Sequence, residues 1–195
     1  MKSAGLAGMT VFGLLGLSFL TACQTAPKTE DRALFARSAR TTTMWFENRV
    51  RGLGSQIERS GGFIVFPDVA QWGVMIGGGK FGRGAVCRPD GTQIGWASIQ
   101  TGSVGVQVGA EEFKMLIVLE NEPALRAFKE NRLTGSVSSV AVAGKASTSN
   151  VGVFQDGVVI YQGGNAGLMA GVNVGLDQLK YEPRDRADSD YDLRY

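Results

Sequence analysis

The sequence predicts an α+β fold: a mainly antiparallel β sandwich or open barrel with a long N-terminal helix and one short helix. Glycine is abundant, at 28 of 195 residues, whereas proline is scarce, at 5, which is typical of tight turns between closely packed strands. Short apolar runs separated by glycines follow one another from Gly61 onward. An earlier stretch instead repeats its apolar residues every three or four positions, as an amphipathic helix does.

The first 22 residues are interpreted as a secretory signal peptide and not as part of the fold. Lys2 gives a short positive start, and the apolar run from Ala4 to Leu20 ends in small residues. Residues 20–23, "LTAC", resemble the bacterial lipoprotein box. That resemblance implies cleavage before Cys23, acylation of its sulfur and amino group, and, with Gln24 following, a place in the outer membrane facing the periplasm. An ordinary signal peptide or a single membrane-spanning helix is the alternative.

The predicted helix runs from about Arg32 to Ile57. Its apolar stripe consists of Phe35, Ala39, Thr42, Phe46, Val50, Leu53 and Ile57. Arg37, Arg40 and Arg51 are expected on the opposite face. That face either meets only solvent, while the helix packs on the β body, or contacts a lipid surface as a basic amphipathic segment.

The remainder of the chain predicts strands and turns. The candidate strands are "GGFIVFP", "WGVMIGG", "RGAVCR", "IGWASI", "SVGVQVGA", "FKMLIVL", "SVSSVAVAG", "NVGVFQ", "VVIYQ" and "GLMAGVNVGL". Pro67 is expected to end the first of them. Residues 113–119 are apolar on both faces, so they predict a central strand. Val104, Val106 and Val108 alternate with glycine and glutamine, as in a half-buried strand.

Turn and cap residues divide these strands. Residues 88–92, "RPDGT", predict one turn, and Asp156 with Gly157 predicts a two-residue hairpin turn. Asn121 is expected to cap a short helix that tolerates Pro123 in its first turn.

The same patterns divide the chain into a signal peptide, an acylated tether, one domain and a charged, flexible tail. The predicted ranges are 1–22, 23–31, 32–181 and 182–195.

The glycines of "GVMIGGGKFGRG", residues 73–84, have the spacing of a dinucleotide-binding loop at Gly77, Gly79 and Gly82. Such a loop needs a helix after it, and the following "RGAVCRPDG" has no helical pattern. A phosphate loop would need serine or threonine after Lys80, where the chain has Phe81. We therefore expect no nucleotide here, but a tight hairpin between two strands.

Composition argues against several classes of function. The chain has no histidine, so neither a histidine-based active site nor a zinc site with histidine ligands is available. The formal net charge of +2 does not favour nucleic acid. Cys87, in "GAVCRP", is expected to be a small buried strand residue, although it could pair with another molecule. We expect no enzyme activity, cofactor or metal.

The order of the short motifs resembles the SYLF domain. The motifs are "GGFIVFPDV", "WGVMIGGGKFGRGAV", "IGWASI", "SVGVQVGAEEFKMLIVLENEPALRAF" and "AGLMAGVNVG", and the resemblance covers about residues 33–179. SYLF domains are lipid-binding modules. Eukaryotic members bind phosphoinositides, partly through a basic amphipathic N-terminal segment, and some bind actin. Bacterial members are commonly lipoproteins or exported proteins.

This resemblance implies an envelope lipoprotein whose domain binds phospholipid, with phosphatidylglycerol or cardiolipin as the expected ligand because bacteria generally lack phosphoinositides. Cys23 would attach the lipid. The expected headgroup-binding residues are Arg37, Arg40 and Arg51 on the helix, with Lys80 and Arg83 as a second patch near a hairpin tip. The alternative is a structural lipoprotein whose domain docks a protein or cell-wall partner in the envelope. Actin binding is not expected, because an exported protein would meet no actin.

Overall fold

The computed structural model describes residues 25–74, 77–103, 109–138, 140–142, 149–164 and 173–184. The helices are α1 (Arg32–Glu47), α2 (Leu53–Glu58) and α3 (Glu122–Lys129), with single 3-10 turns at Thr29–Asp31 and Leu176–Gln178. The strands are β1 (Val50–Arg51), β2 (Gly62–Val74), β3 (Gly77–Cys87), β4 (Gln93–Ser103), β5 (Gly109–Leu119), β6 (Ser136–Ser138), β7 (Val140–Val142), β8 (Ser149–Asn150), β9 (Val158–Gly163), β10 (Asn173–Gly175) and β11 (Leu179–Pro183).

Seven strands form the main sheet, in the spatial order β11-β4-β3-β2-β5-β9-β7. All neighbours are antiparallel except β7 and β9, which are parallel. Two small pairs, β1 with β8 and β6 with β10, lie outside it. Among the described residues the edge strands β11 and β7 do not pair with each other, so the sheet is open. The α+β class and the mainly antiparallel sheet are confirmed.

A hydrophobic core lies on each face of the sheet. On the face covered by α1 and α2, here the α1 face, the buried residues include Phe46, Leu53, Val65, Ala85 and Leu116. On the face covered by α3, here the α3 face, they include Ile64, Phe66, Val86, Ile117 and Phe128. Neighbouring residues such as Val65 and Phe66 face opposite cores, because strand side chains alternate between faces.

The helical part of the N-terminal region is shorter than predicted. The apolar stripe is buried as expected, from Ala39 and Phe46 in α1 to Ile57 in α2. However, α1 ends at Glu47, and Gly52 adopts the left-handed conformation at φ 84° directly before α2. A left-handed residue cannot continue a right-handed helix. The prediction of one helix through Ile57 is therefore wrong, and two short helices, α2 and α3, accompany α1 instead of one.

Pro67 does not end the first strand, contrary to the prediction. The strand β2 continues through Pro67 to Val74. Phe66 is opposite Met115 on β5, and the next paired residue, Val69, is opposite Phe113. One extra residue on β2 is thus accommodated in a bulge. Proline is tolerated there because a bulge position does not need an N–H group for the hydrogen bonds between the strands. The bulge also reverses which face the later residues of β2 point to.

Other local predictions are confirmed, one of them in part. The predicted antiparallel hairpin is present, β2 with β3, but the glycines are not its turn, contrary to the prediction: residues 77–84 lie within β3, and Trp72 pairs with Gly79. Residues 115–119 of β5 are buried between β2 and β9. The Asn121 side chain accepts a hydrogen bond from the Ala124 N–H at 3.0 Å, which caps α3. Cys87 is a fully buried strand residue, and Gly157 has the positive φ of its predicted turn.

Some predictions concern residues outside the described part of the chain. These are the signal peptide at 1–22, the acylated Cys23, the alternation at residues 104–108 and most of the tail, from residue 185 on.

Candidate functional site

The outward face of α1 combines one cation with exposed apolar side chains. Leu34, Arg37, Thr41 and Met44 are three or four residues apart, so they form a stripe on one side of the helix. All four are exposed, and the fraction reaches 66% for Leu34 and 46% for Met44. The opposite side of α1 is seated on the sheet by Ala39 and Phe46. We call these four residues the α1 outer stripe.

The three predicted arginines of this region do not form one cluster. Arg37 is exposed on the α1 outer stripe, and Arg40, half-buried, is its neighbour three residues along the helix. Arg51 is exposed on β1, beyond the end of α1. The ten steps along the helix from Arg37 to Glu47 alone span about 15 Å at the helical rise. Arg37 and Arg40 can therefore contact one ligand together, whereas Arg51 lies at the other end of the helix.

Lys80 and Arg83 do not share a surface either. The strand β3 is paired without interruption from Gly78 to Val86, so Lys80 and Arg83, three residues apart, point to opposite faces. Lys80 lies on the α3 face, where it is 9% exposed and its Nζ is 5.7 Å from the centre of the Phe113 ring. Burial lowers the pKa of Lys80 below its ordinary value. A lysine so enclosed offers little charge to a lipid headgroup.

Arg83 lies on the α1 face, beside two exposed aromatic residues. Its guanidinium is 5.5 Å from the centre of the Phe81 ring. Phe81 is 44% exposed, and Trp72, on the same face of the neighbouring strand, is 52% exposed.

The sequence did not indicate that these two aromatic residues are exposed, because Trp72 stands in an apolar run and its direction depends on the bulge in β2. Leu34 and Met44 could have been found, since neither belongs to the apolar stripe of the predicted helix.

An acidic cavity of about 360 Å³ lies near the C-terminal end of α1. Its lining includes Glu47 on α1, Glu58 on α2 and Asp90 in the turn after β3. Burial, and secondarily the negative charge of Glu58, raises the pKa of Glu47. Three carboxylates therefore line one cavity at the end of α1.

Neither a metal cluster nor a spanning helix is found in the part of the chain described above. No group of three or more His, Cys, Asp or Glu residues there could hold a metal ion. None of the described helices combines the length and the apolar character needed to cross a membrane.

Comparison with known proteins gives one family match, over part of the chain. A family model described as "Ysc84: Las17-binding protein actin regulator" matches residues 100–191. The matched range begins near the end of β4 and includes β5, α3 and β11, while α1 and the β2–β3 hairpin precede it. Among curated proteins, no sequence match was found.

Proposed function

We propose that this chain is a membrane-anchored envelope lipoprotein whose domain binds phospholipid. The proposal is supported by the match of residues 100–191 to the Ysc84 family, also called SYLF, which is a family of lipid-binding or actin-regulator-like domains. In this proposal Cys23 carries the acyl chains that hold the protein on the outer membrane, facing the periplasm. The domain binds anionic headgroups, such as those of phosphatidylglycerol and cardiolipin. The arginines of α1 make that contact.

The observation that carries the proposal is the α1 outer stripe. A guanidinium forms charge-assisted, often bidentate hydrogen bonds with phosphate oxygens, so Arg37 is suited to a phospholipid headgroup. Leu34 and Met44, on either side of it along the helix, expose apolar side chains to water. At a bilayer surface those side chains would enter the boundary between headgroups and acyl chains, as the apolar residues of interfacial helices do.

The charge distribution along α1 supports a preferred orientation on the membrane. Arg37 and Arg40 lie in the first half of the helix, whereas Glu47 lines the acidic cavity at its end. An anionic bilayer would attract Arg37 and Arg40 and repel Glu47, and Glu30 and Asp31 in the turn before α1 confine the attraction to the helix itself. Arg51, which lies beyond Glu47, would contribute least of the three arginines.

Actin regulation, which the family description names, is not proposed for this chain. The predicted signal peptide would export the protein to a compartment without actin. The α1 outer stripe combines a cation with apolar side chains, and binding to a membrane would account for both.

The test of the proposal is a variant in which Arg37, Arg40 and Arg51 are all replaced by alanine. Each basic residue near an anionic surface contributes about 1 kcal/mol of binding, so the affinity for phosphatidylglycerol vesicles should fall about 10- to 100-fold. The measurement is the fraction of protein that sediments with vesicles as the lipid concentration is raised.

A matched control removes the same charge from the other side of the sheet. Its three alanine substitutions replace exposed residues on α3 or directly after it, namely Arg126, Lys129 and Arg132. The control should bind vesicles within about twofold of the parent protein, because its charges face away from the membrane. Equal losses in the two variants would mean that only net charge matters, and the arginine site would be rejected. A parent domain that binds no vesicle would favour the protein-partner alternative.

A further inference from the structure

The two exposed aromatic residues of the β2–β3 hairpin form one continuous patch. Trp72 is opposite Gly79, and Phe81 is opposite Ala70, so the two aromatics are diagonal neighbours on the α1 face. The Trp72 ring lies directly over Gly79, since a Cβ added there would be 3.0 Å from three of the ring atoms. The ring therefore rests on the backbone of β3 and presents its other side outward.

The patch also carries a cation. Arg83 follows Phe81 on the same face of β3, with its guanidinium over the Phe81 ring. Tryptophan and other aromatics next to basic side chains are typical of the zone where a protein meets lipid headgroups. We call Trp72, Phe81 and Arg83 the hairpin patch.

The start of the described chain lies beside this patch. The hydroxyl oxygens of Thr25 and Ser98 are 3.3 Å apart, and Ser98 on β4 is the register partner of Arg83. Paired residues on adjacent strands are about 5 Å apart. Two residues of chain span at most about 7 Å, so an acyl anchor on Cys23 would be no farther than that from Thr25. An acyl chain on Cys23 would thus be attached to the chain close to the hairpin patch.

We propose that the hairpin patch is a second membrane contact, in which Trp72 and Phe81 enter the interfacial zone of the bilayer that holds the anchor. This inference rests on the proposed function only in taking Cys23 as the lipid attachment site. It does not require headgroup recognition by α1. Because the acyl chains fix the membrane within reach of Thr25, the bilayer is the surface that the patch meets first.

The charges beside the patch do not make it an anion site. Glu112 on β5 is opposite Ala70 and shares the α1 face with the patch, and Lys114, two residues along β5, points to the same face. These two side chains together add no net charge beside Arg83. The hairpin patch is therefore expected to enter zwitterionic and anionic bilayers alike, with little dependence on salt, because burial of apolar surface provides its affinity.

The test uses the mature acylated protein, which begins at Cys23, reconstituted into phosphatidylcholine vesicles with bromine on the upper part of the acyl chains. Bromine quenches tryptophan fluorescence at contact. Trp45 and Trp96 are common to the parent and to Trp72→Phe, so the difference between the two proteins reports Trp72 alone. We expect bromolipid to quench the parent strongly and this quenching to be mostly lost in Trp72→Phe.

A second variant and a control complete the experiment. Phe81→Ser should weaken the quenching of Trp72 severalfold, because the patch loses its second aromatic residue. The control is Val153→Ser, which alters an apolar side chain that is 83% exposed in the segment before β9. The Val153→Ser protein should be quenched like the parent. That result would show that the loss of quenching is specific to substitutions in the hairpin.

Three results would overturn the inference. One is equal quenching of the parent and Trp72→Phe. Another is a Trp72 emission shifted to the blue without quenching, which would mean that a protein or a second copy covers the patch. The third is a mature protein that does not float with vesicles, because the anchor assignment would then be wrong. Quenching of Trp72 in a protein whose α1 arginines bind no anionic lipid would instead support this contact and reject headgroup recognition.

Discussion

Replacing Phe46 with alanine is expected to lower the free energy of unfolding by about 3–5 kcal/mol. Phe46 has no exposed surface and belongs to the core between α1 and the sheet, together with Val65 and Leu116. Truncation removes the transfer free energy of the ring and leaves a cavity that strands β2 and β5 are too rigid to fill. Denaturant unfolding, followed by circular dichroism, measures the change as a shift in midpoint at constant slope.

The matched control for this prediction is Leu34→Ala on the same helix. Leu34 is exposed on the α1 outer stripe, so its truncation should change the free energy of unfolding by no more than about 0.5 kcal/mol. A Phe46→Ala protein as stable as the Leu34→Ala protein would mean that α1 is not seated on the sheet. The orientation of Arg37, and with it the proposed lipid contact, would then have to be reconsidered.

Replacing Gly61 with alanine is expected to destabilise the protein by about 3 kcal/mol or more. A Cβ at this position would be 2.1 Å from the carbonyl oxygen of Asn121 and 2.2 Å from its carbon. These are backbone atoms of the residue that caps α3, so they cannot rotate away as a side chain would. The Gly61 N–H also donates to the Leu119 carbonyl at 2.9 Å, which prevents Gly61 itself from moving.

The control at Gly54 should change stability in the opposite direction. Gly54 lies in α2, and a Cβ there would meet only the Glu47 carboxylate oxygen, at 3.7 Å. Alanine is favoured over glycine in a helix, so Gly54→Ala should raise the free energy of unfolding by up to about 1 kcal/mol. Thermal melts of the two variants measure both effects. A stable Gly61→Ala protein would contradict the close approach of β2 to the α3 cap.

Features with local causes were predictable from the sequence. The buried stripe of α1, with Phe46 at its centre, follows from the helical period. The cap at Asn121 and the turn at Gly157 follow from side chains that suit those backbone conformations. The hairpin formed by β2 and β3 follows from the failure of the glycine motif to lead into a helix. Each of these signals lies within a short window of sequence.

Features that depend on a partner strand were not predictable in the same way. The bulge that keeps Pro67 within β2 exists because β5 continues regularly beside it. Because the bulge reverses the alternation of the later residues of β2, Trp72 points to the α1 face. The helical region is interrupted because Gly52 adopts a left-handed conformation. From the sequence, Gly52 was expected only to weaken the end of one longer helix. Local patterns do not show how many residues one strand places opposite another.

The candidate site was predictable only in part. The outward direction of Arg37 follows from the period of α1. Lys80 and Arg83 were expected to form one patch because both were placed at a hairpin tip. The strands instead extend to Val74 and from Gly77, so the two cations lie within β3 and alternate between its faces. The proximity of Thr25 to Ser98 joins residues distant in sequence, so no local pattern indicates it.

The most direct measurement of the central claim is sedimentation of the chain from Gln24 onward, which lacks the proposed acylation site Cys23, with vesicles of phosphatidylcholine, phosphatidylglycerol, cardiolipin or phosphoinositide. Each composition is tested at low and high salt. Headgroup recognition by the domain predicts binding to the anionic vesicles that is lost at high salt, because exposed charges are screened beyond about 10 Å at 0.1 M. Absence of binding to every composition would contradict headgroup recognition by the domain and would mean that any membrane contact depends on the proposed acyl anchor.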